Sequence, residues 1–332
     1  MKSVVVTRHG GPEVLAVVEE PVPEPGPGAV RIQVAAAGVS AHDGMLRRSG
    51  RLPGTPKVPF NPGLDVVGPV DAVGEGVTGV TAGQVVAAGL YTLGYGGYTE
   101  RICVPADAVV PVPEGVDPAQ AVCLVVNYLT AHTMLHHGAK VQRGERVLIH
   151  GAAGGVGSAM VELGRLAGLE MFGTASARHH GMVERLGATP IDYRTEDFVA
   201  RVLELTGDGV DAVFDPIGGA RQLRRSYQCL RRGGRLIWYG VAAEKRQGLK
   251  VIAGSLLMRT LLALRPDGRS APMPPDAGDF AAETLPALMG LLAAGKLAPV
   301  VAARLPLAEA RRAHEMLEAG GVEGKIVLIT KD

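Results

Sequence analysis

Cysteine is scarce: 332 residues contain only Cys103, Cys123 and Cys229, no two of them within metal-ligand spacing. That argues against a structural zinc cluster and against the disulfide framework of a small secreted domain, so reducing cytoplasm is the expected compartment. Long apolar runs are missing too. No stretch approaches the ~18 residues that a membrane span needs. The N-terminal MKSVVVTRHGG breaks after three valines, so no secretory leader is expected there. An excess of charge is also lacking, since 34 Lys and Arg oppose 33 Asp and Glu for a net charge of +1. With the signs mixed along the chain and no basic stripe, there is no general pull toward nucleic acid or anionic lipid. What remains is ordinary globular composition, 47% hydrophobic, with length enough for roughly two domains.

Glycine, by contrast, is plentiful, with 46 residues. Up to about residue 120, short runs such as KSVVVT, AVRIQVAAAG, GPVDAVG and QVVAAG are separated by turn residues and read as a mostly β unit. PVPEPGPG at 21–28 reads as an extended loop, because each proline restrains the residue before it. From about 121 the rhythm becomes strand, helix, strand, helix: RVLIH, a helical pattern from Ser158 to Leu166, LEMFGTA, MVERLG, TPIDY, VDAVFD and RLIWYG. Such alternation implies a parallel, doubly wound sheet of Rossmann type. The tail passes through the Pro-rich GRSAPMPPDAGD to a helix near 283–294 and ends in the strand-like GKIVLIT, which is expected to rejoin the first unit.

The most informative stretch is HGAAGGVG at 150–157, set between a strand-like and a helix-like run. Glycines there cost backbone entropy and pack nothing; the usual gain is close approach of a phosphate. Ala153, Gly154, Gly155, Val156 and Gly157 are the expected pyrophosphate turn at the positive end of a helix. The next strand then selects the dinucleotide, because an acid at its end would bind the ribose 2′-hydroxyl of NAD. The sequence there is GTASARHHG, with no carboxylate. Ser176 and Arg178 suit a 2′-phosphate instead, which favours NADPH. The alternative for Arg178 is a solvated residue at a helix start.

NPGLDVVGPVDAVGEGV, VNYLTAH, HGAAGGVG, GTASARHH, LGATPIDYR and EGKIVLI, in that order, resemble the medium-chain dehydrogenase/reductase superfamily along nearly the whole chain. Within it the likeness is to the zinc-free quinone oxidoreductase branch, which includes ζ-crystallin and the vesicle amine transport protein homologues, and VNYLTAH and FGTASARHH lean toward the latter. The resemblance implies a GroES-like catalytic domain from residues 1–120 and 265–332, a Rossmann NADPH domain at 121–264, an active-site cleft between them, and a homodimer. Zinc-dependent relatives place metal ligands where this chain has Ser40, Leu64 and Val126. Two of these three cannot bind a metal, so no catalytic zinc is expected. What is left is hydride transfer to a quinone or an α,β-unsaturated carbonyl, whose developing charge modest hydrogen-bond donors can stabilise.

The resemblance also assigns residues. Thr130 matches a threonine near the nicotinamide, supported by Asn127; the alternative is that these residues cap a helix. Tyr193 matches a residue at the adenosine 2′-phosphate end, Gly240 the turn beside the nicotinamide ribose, and Lys325 a residue near the cofactor; the alternative for each is a purely structural role. Ser40 stands where relatives often carry Asn and Met45 where they often carry Tyr. Ser40 is expected to hydrogen-bond the substrate oxygen, with Asp43 orienting its loop or serving simply as a turn residue. Tyr91, Tyr95 and Tyr98 lie in the glycine-rich LYTLGYGGYTE, where a phenol can protonate an enolate, and none is singled out. Met258, Arg259, Arg265 and the PMPP stretch belong to an insertion that reads as a lid or a disordered connector. Two other functions fit the same residues: a pathway-specific enoyl reductase, and a non-catalytic NADPH-binding interaction protein.

Overall fold

The computed structural model describes residues 1–49, 55–91, 93–240 and 248–330, and in it the valine-rich start of the chain becomes short strands. β1 (Lys2–Val6) pairs antiparallel with β2 (Leu15–Glu19). In β3 (Ala29–Gln33) only Val30 and Ile32 are fully buried, the period-2 pattern of a strand with one face on the core. β4 (Ala36–Val39) is buried throughout. Ser40 then caps α1 (Ala41–Arg48), and β5 (Asp65–Val73), β6 (Val85–Gly89), β7 (Arg101–Pro105) and β8 (Val109–Pro111) follow.

From Pro118 to Ala139 the chain is helical without a break. α2 (Pro118–Cys123) passes through a π-helical turn at Leu124–Tyr128 into α3 (Leu129–His132), and a second π-helical turn at Thr133–Ala139 ends at left-handed Lys140. The alternating segment then runs β9 (Arg146–His150), α4 (Gly155–Ala167), β10 (Glu170–Ala175), α5 (His180–Leu186), β11 (Thr189–Asp192) and α6 (Phe198–Thr206). It closes with β12 (Val210–Asp215), α7 (Ala220–Gln228), β13 (Leu230–Trp238) and α8 (Gly248–Ala263). The five strands form one parallel sheet in the order β11-β10-β9-β12-β13, so strand order reverses between β9 and β12. β12 is buried at every position, which explains its nearly continuous apolar sequence.

The tail supplies α9 (Ala281–Ala293), β14 (Val301–Pro306), α10 (Ala310–Ala319) and β15 (Lys325–Ile329). β15 pairs antiparallel with β4, and the sheet reads β14-β15-β4-β5-β3-β7, with β6 joining β5 to β8. Ile326 and Leu328 thereby share one core with Val30, Ile32, Val66 and Tyr98. The architecture is α/β, a GroES-like mostly β unit and a Rossmann-type unit.

The two compact units are Met1–Leu129 with Ala281–Asp332, and Thr130–Phe280. Their joints fall later in the chain than 120/121 and 264/265. α2 packs on β4 and β5, which keeps it with the first unit. The insertion stays with the second, because Ser270 N donates to Gly234 O and Leu236 N to Ser270 O, both at 2.9 Å. Arg259 adds a bond from its guanidinium to Ala271 O at 3.3 Å, so residues 268–271 are tied along β13 rather than loose.

Candidate active site

After His150 the chain turns at Gly151, whose φ of +67° is the left-handed conformation that favours glycine. Gly154 N donates to Gly151 O at 2.9 Å, and Ser158 N to Gly154 O at 2.8 Å. The N–H groups of Gly155, Val156 and Gly157 are therefore in the first turn of α4, without intrahelical acceptors, and no side chain caps that turn. A Cβ on Gly157 would stand 2.1 Å from Gly151 O and one on Gly154 3.3 Å from the same oxygen. With Ala153 adding only a methyl, three backbone donors face outward at the positive end of a helix, which fits a dinucleotide pyrophosphate.

Ser176, Arg178, Tyr193 and Gly240 follow the C-terminal ends of strands of the same sheet. Ser176, just past β10, is buried, and Arg178 is exposed with its Nε donating to His179 Nε2 at 3.0 Å. That bond engages one of five guanidinium donors. Tyr193, just past β11, is half exposed, with the Arg194 guanidinium 5.9 Å from its ring centre. Past β13, a Cβ on Gly240 would lie 2.8 Å from Pro216 O, so glycine there permits close approach of the loops after β12 and β13. Thr130 is half-buried and Asn127 buried; both lie inside the unbroken helical run, so neither caps a helix.

Beneath the turn lies a buried polar chain that sequence reasoning did not single out. His150 Nδ1 is 3.1 Å from Thr174 Oγ1, which also accepts Gly151 N–H at 3.2 Å. His150 Nε2 is 3.1 Å from Ser226 Oγ, and Ser226 donates to Asp215 Oδ2 at 2.6 Å. Asp215 Oδ1 in turn accepts the N–H groups of Ile217 (2.8 Å) and Gly218 (3.0 Å). The chain thus ties the loop after β9 to the loop after β12, the two strands flanking the point where strand order reverses. Burial lowers the His150 pKa, opposed by the charge of Asp215. A histidine directly after the apolar run Val147–Ile149 was the available signal.

In the first unit, Ser40 and Asp43 meet as a helix cap. Ser40 Oγ donates to Asp43 Oδ2 at 2.8 Å and accepts Asp43 N–H at 3.2 Å. Asp43 also accepts Ser40 N–H (2.8 Å), Gly63 N–H (3.0 Å) and the Tyr98 hydroxyl (3.3 Å). The Ser40 proton is engaged within the loop, so toward a substrate its oxygen has an acceptor to offer rather than the expected donor. Behind this cap Tyr98 is fully buried, 3.1 Å from His314 Nε2, while Arg47 Nε donates to His314 Nδ1 at 3.2 Å and its NH2 pairs with Glu318.

Lys325 is also buried, its Nζ 2.7 Å from Asp65 Oδ2. The distance is that of an ion pair, but the angles fall short of hydrogen-bond geometry. A Cβ on Gly38 would meet Lys325 Cε at 2.1 Å, so a glycine in β4 makes the room for this pair. Burial raises the Asp65 pKa, with Lys325 pulling it back down. Of the three positions that hold metal in zinc-dependent relatives, Leu64 and Val126 are buried and apolar. Among the described residues, no three His, Cys, Asp or Glu side chains are grouped to hold a metal, and no helix is long and apolar enough to cross a membrane. A cavity of about 340 Å³ in the first unit is lined by Asn61, Tyr95, Arg101 and Cys103 among others; of the residues the sequence singled out it takes in Tyr95, and neither Ser40, Asp43 nor the glycine turn.

Residues 26–114 match the family described as alcohol dehydrogenase GroES-like domain, and residues 186–328 the family described as zinc-binding dehydrogenase. The human synaptic vesicle membrane protein VAT-1 homolog is 36% identical over 73% of this chain, which spans only 61% of that protein's length. A 2-haloacrylate reductase from Burkholderia sp is 34% identical over 98% of both chains. Among solved structures, Escherichia coli quinone oxidoreductase complexed with NADPH superposes with a TM-score of 0.88, at 28% identity and covering 99% of this chain and 100% of that one. With the uncapped glycine turn, the doubly wound sheet and the tail strand β15 added to the N-terminal β unit, the likeness extends over the whole architecture, and the chain belongs to the medium-chain dehydrogenase/reductase family.

Proposed function

We propose that the protein is an NADPH-dependent, zinc-independent reductase of quinones or α,β-unsaturated carbonyls. The observation that carries the reading is the uncapped turn at Gly154–Gly157, followed at the end of β10 by Ser176 and Arg178 with no carboxylate. In this reading the three open N–H groups hold the pyrophosphate, while Ser176, Arg178 and Tyr193 receive the 2′-phosphate end. Thr130, Asn127 and Gly240 serve the nicotinamide end, and Asp43 orients Ser40 at the substrate. The nicotinamide supplies the hydride. Zinc independence is inferred from Leu64 and Val126, which offer no ligand atom, so the acceptor must be one that needs no strong Lewis acid. The similarity to a 2-haloacrylate reductase and to a quinone oxidoreductase complexed with NADPH supports an electron-poor conjugated acceptor. A cytoplasmic homodimer completes the proposal.

The test is NADPH oxidation by the purified protein, with NADH in parallel, against a panel of quinones and conjugated enones in the presence of a chelator. Turnover is expected with NADPH, surviving chelation. NADPH binding with no turnover on any acceptor would overturn the general reductase and favour a binding protein or a narrow pathway enzyme.

A further inference from the structure

We infer that Tyr95 is the proton donor of this reductase and that His42 is the relay that reprotonates it; the inference rests on the function proposed above. Reduction of a conjugated acceptor needs a proton as well as a hydride, and the residues around Ser40 leave few sources for it. The Ser40 hydroxyl proton is held by Asp43, and four hydrogen bonds from Ser40 N, Ser40 Oγ, Gly63 N and Tyr98 Oη occupy the Asp43 carboxyl oxygens. Tyr98 is fully buried with its hydroxyl donated to Asp43. His42 and Tyr95 stand beside this cluster, and both remain partly open to solvent.

The loop is built to present Tyr95. Its φ is +73°, between Gly94 at +93° and Gly96 at +111°, so three successive residues are left-handed. That backbone is costly for a residue with a bulky side chain. Lys140, at a helix end, is the one other non-glycine with positive φ among the described residues. The conformation lays the Tyr95 ring against the His42 imidazole, centroids 6.0 Å apart and planes inclined by 29°. The Tyr95 hydroxyl is then 3.5 Å from His42 Nε2, a long contact of the kind that tightens when a catalytic site fills.

Among the described residues, the titratable groups facing the pair are Asp43 on α1 and Tyr91 on the loop, the latter edge-on to His42 at 6.4 Å, with Glu20, Arg101 and Cys103 lining the cavity that Tyr95 shares. Burial lowers the His42 pKa, partly offset by Asp43, and burial with Asp43 raises that of Tyr95. Both directions hold the pair uncharged near neutrality, a phenol against a neutral imidazole.

Once the acceptor carries the hydride as an anion, the Tyr95 O–H bond breaks and a C–H bond forms at the α-carbon of an enone, or an O–H bond on a quinone oxygen. The tyrosinate regains a proton from His42 Nε2 as Nδ1 takes one from water. One solvent proton is consumed per two-electron reduction, and the nicotinamide is the group oxidised.

Tyr95→Phe keeps the ring and its packing while removing the proton, and His42→Asn removes the relay. With wild-type turnover in hand, Tyr95→Phe is expected to lower kcat by ~10²-fold with NADPH Kd unchanged. His42→Asn should lose less, and added imidazole should restore it. A readout independent of turnover is the ring NMR signal of His42 in cofactor-free protein, whose titration should shift in Tyr95→Phe. An active wild type with Tyr95→Phe at full kcat across pH 5–9 would overturn the donor while leaving the reductase intact, and so would loss confined to NADPH Kd. A wild type that reduces no acceptor would instead overturn the reductase itself, and with it this inference.

Discussion

Lys325 and Asp65 face each other at 2.7 Å with almost no exposure, 2% and 0% of their side chains. Taking one charge away strands the other in a medium that cannot solvate it. Lys325→Met is therefore expected to destabilise the protein by about 3–5 kcal/mol, and the double replacement Lys325→Met/Asp65→Leu to recover much of that, because a buried pair often does no better than its apolar substitute. Urea unfolding of the three variants checks this. A drop in NADPH affinity beyond the loss of folded protein would support the cofactor role implied for Lys325 by resemblance. The chemistry of the site was partly legible at this scale. Glycines and an arginine at fixed offsets after a strand are the sequence basis of the phosphate site proposed above, whereas a lysine and an aspartate 260 positions apart announce nothing until β15 and β5 are both placed beside β4.

Between elements, α1 and α10 are joined through side chains that the sequence leaves unrelated. Arg47 on α1 reaches His314 on α10, and Tyr98 reaches it from the loop before β7. Arg47 donates to Nδ1, so His314 carries its proton on Nε2, toward Tyr98. Burial is the main cause that pushes its pKa from 6.5 down to about 4, with Asp43 and Glu318 opposing the shift and Arg47 and Arg48 adding to it. The unfolded chain binds the proton first on acidification, so the stability from neutral, buried His314 is full above pH 6.5 and lost as pH falls toward 4. The expected slope from this histidine is about 1.4 kcal/mol per pH unit in that window. His314→Gln should flatten it, as measured by urea unfolding between pH 4 and 7. Ser40 shows the reverse case: its spacing to Asp43 is a readable capping pattern, and the structure puts that pattern to its ordinary use.

At the scale of the whole molecule, a ligand that binds only the folded chain stabilises it by mass action. NADPH at 100 times its Kd is expected to add about 2.7 kcal/mol to the unfolding free energy. Gly157→Ala should abolish that gain, since its Cβ would fall 2.1 Å from Gly151 O and must displace the turn. Denaturant titrations with and without NADPH distinguish the two. A stabilised Gly157→Ala protein would mean that the phosphates lie elsewhere.

What the sequence determined by itself was local and periodic. The alternation of apolar runs with amphipathic ones prescribes a parallel sheet, and HGAAGGVG prescribes a turn that only small residues can make. Cysteine count and charge balance turned the reading away from a zinc cluster and from nucleic-acid or anionic-lipid partners. Tertiary structure alone decided the rest: that Lys325 meets Asp65, that His150 ties two loops through Ser226 and Asp215, and that Tyr95 is twisted onto His42. The physical reason is the range of the interactions. Backbone propensity and side-chain period act over a few residues and are written along the chain. Burial and hydrogen bonding between distant segments set which polar groups must satisfy one another, and that is decided only when the strands take their order in the sheets.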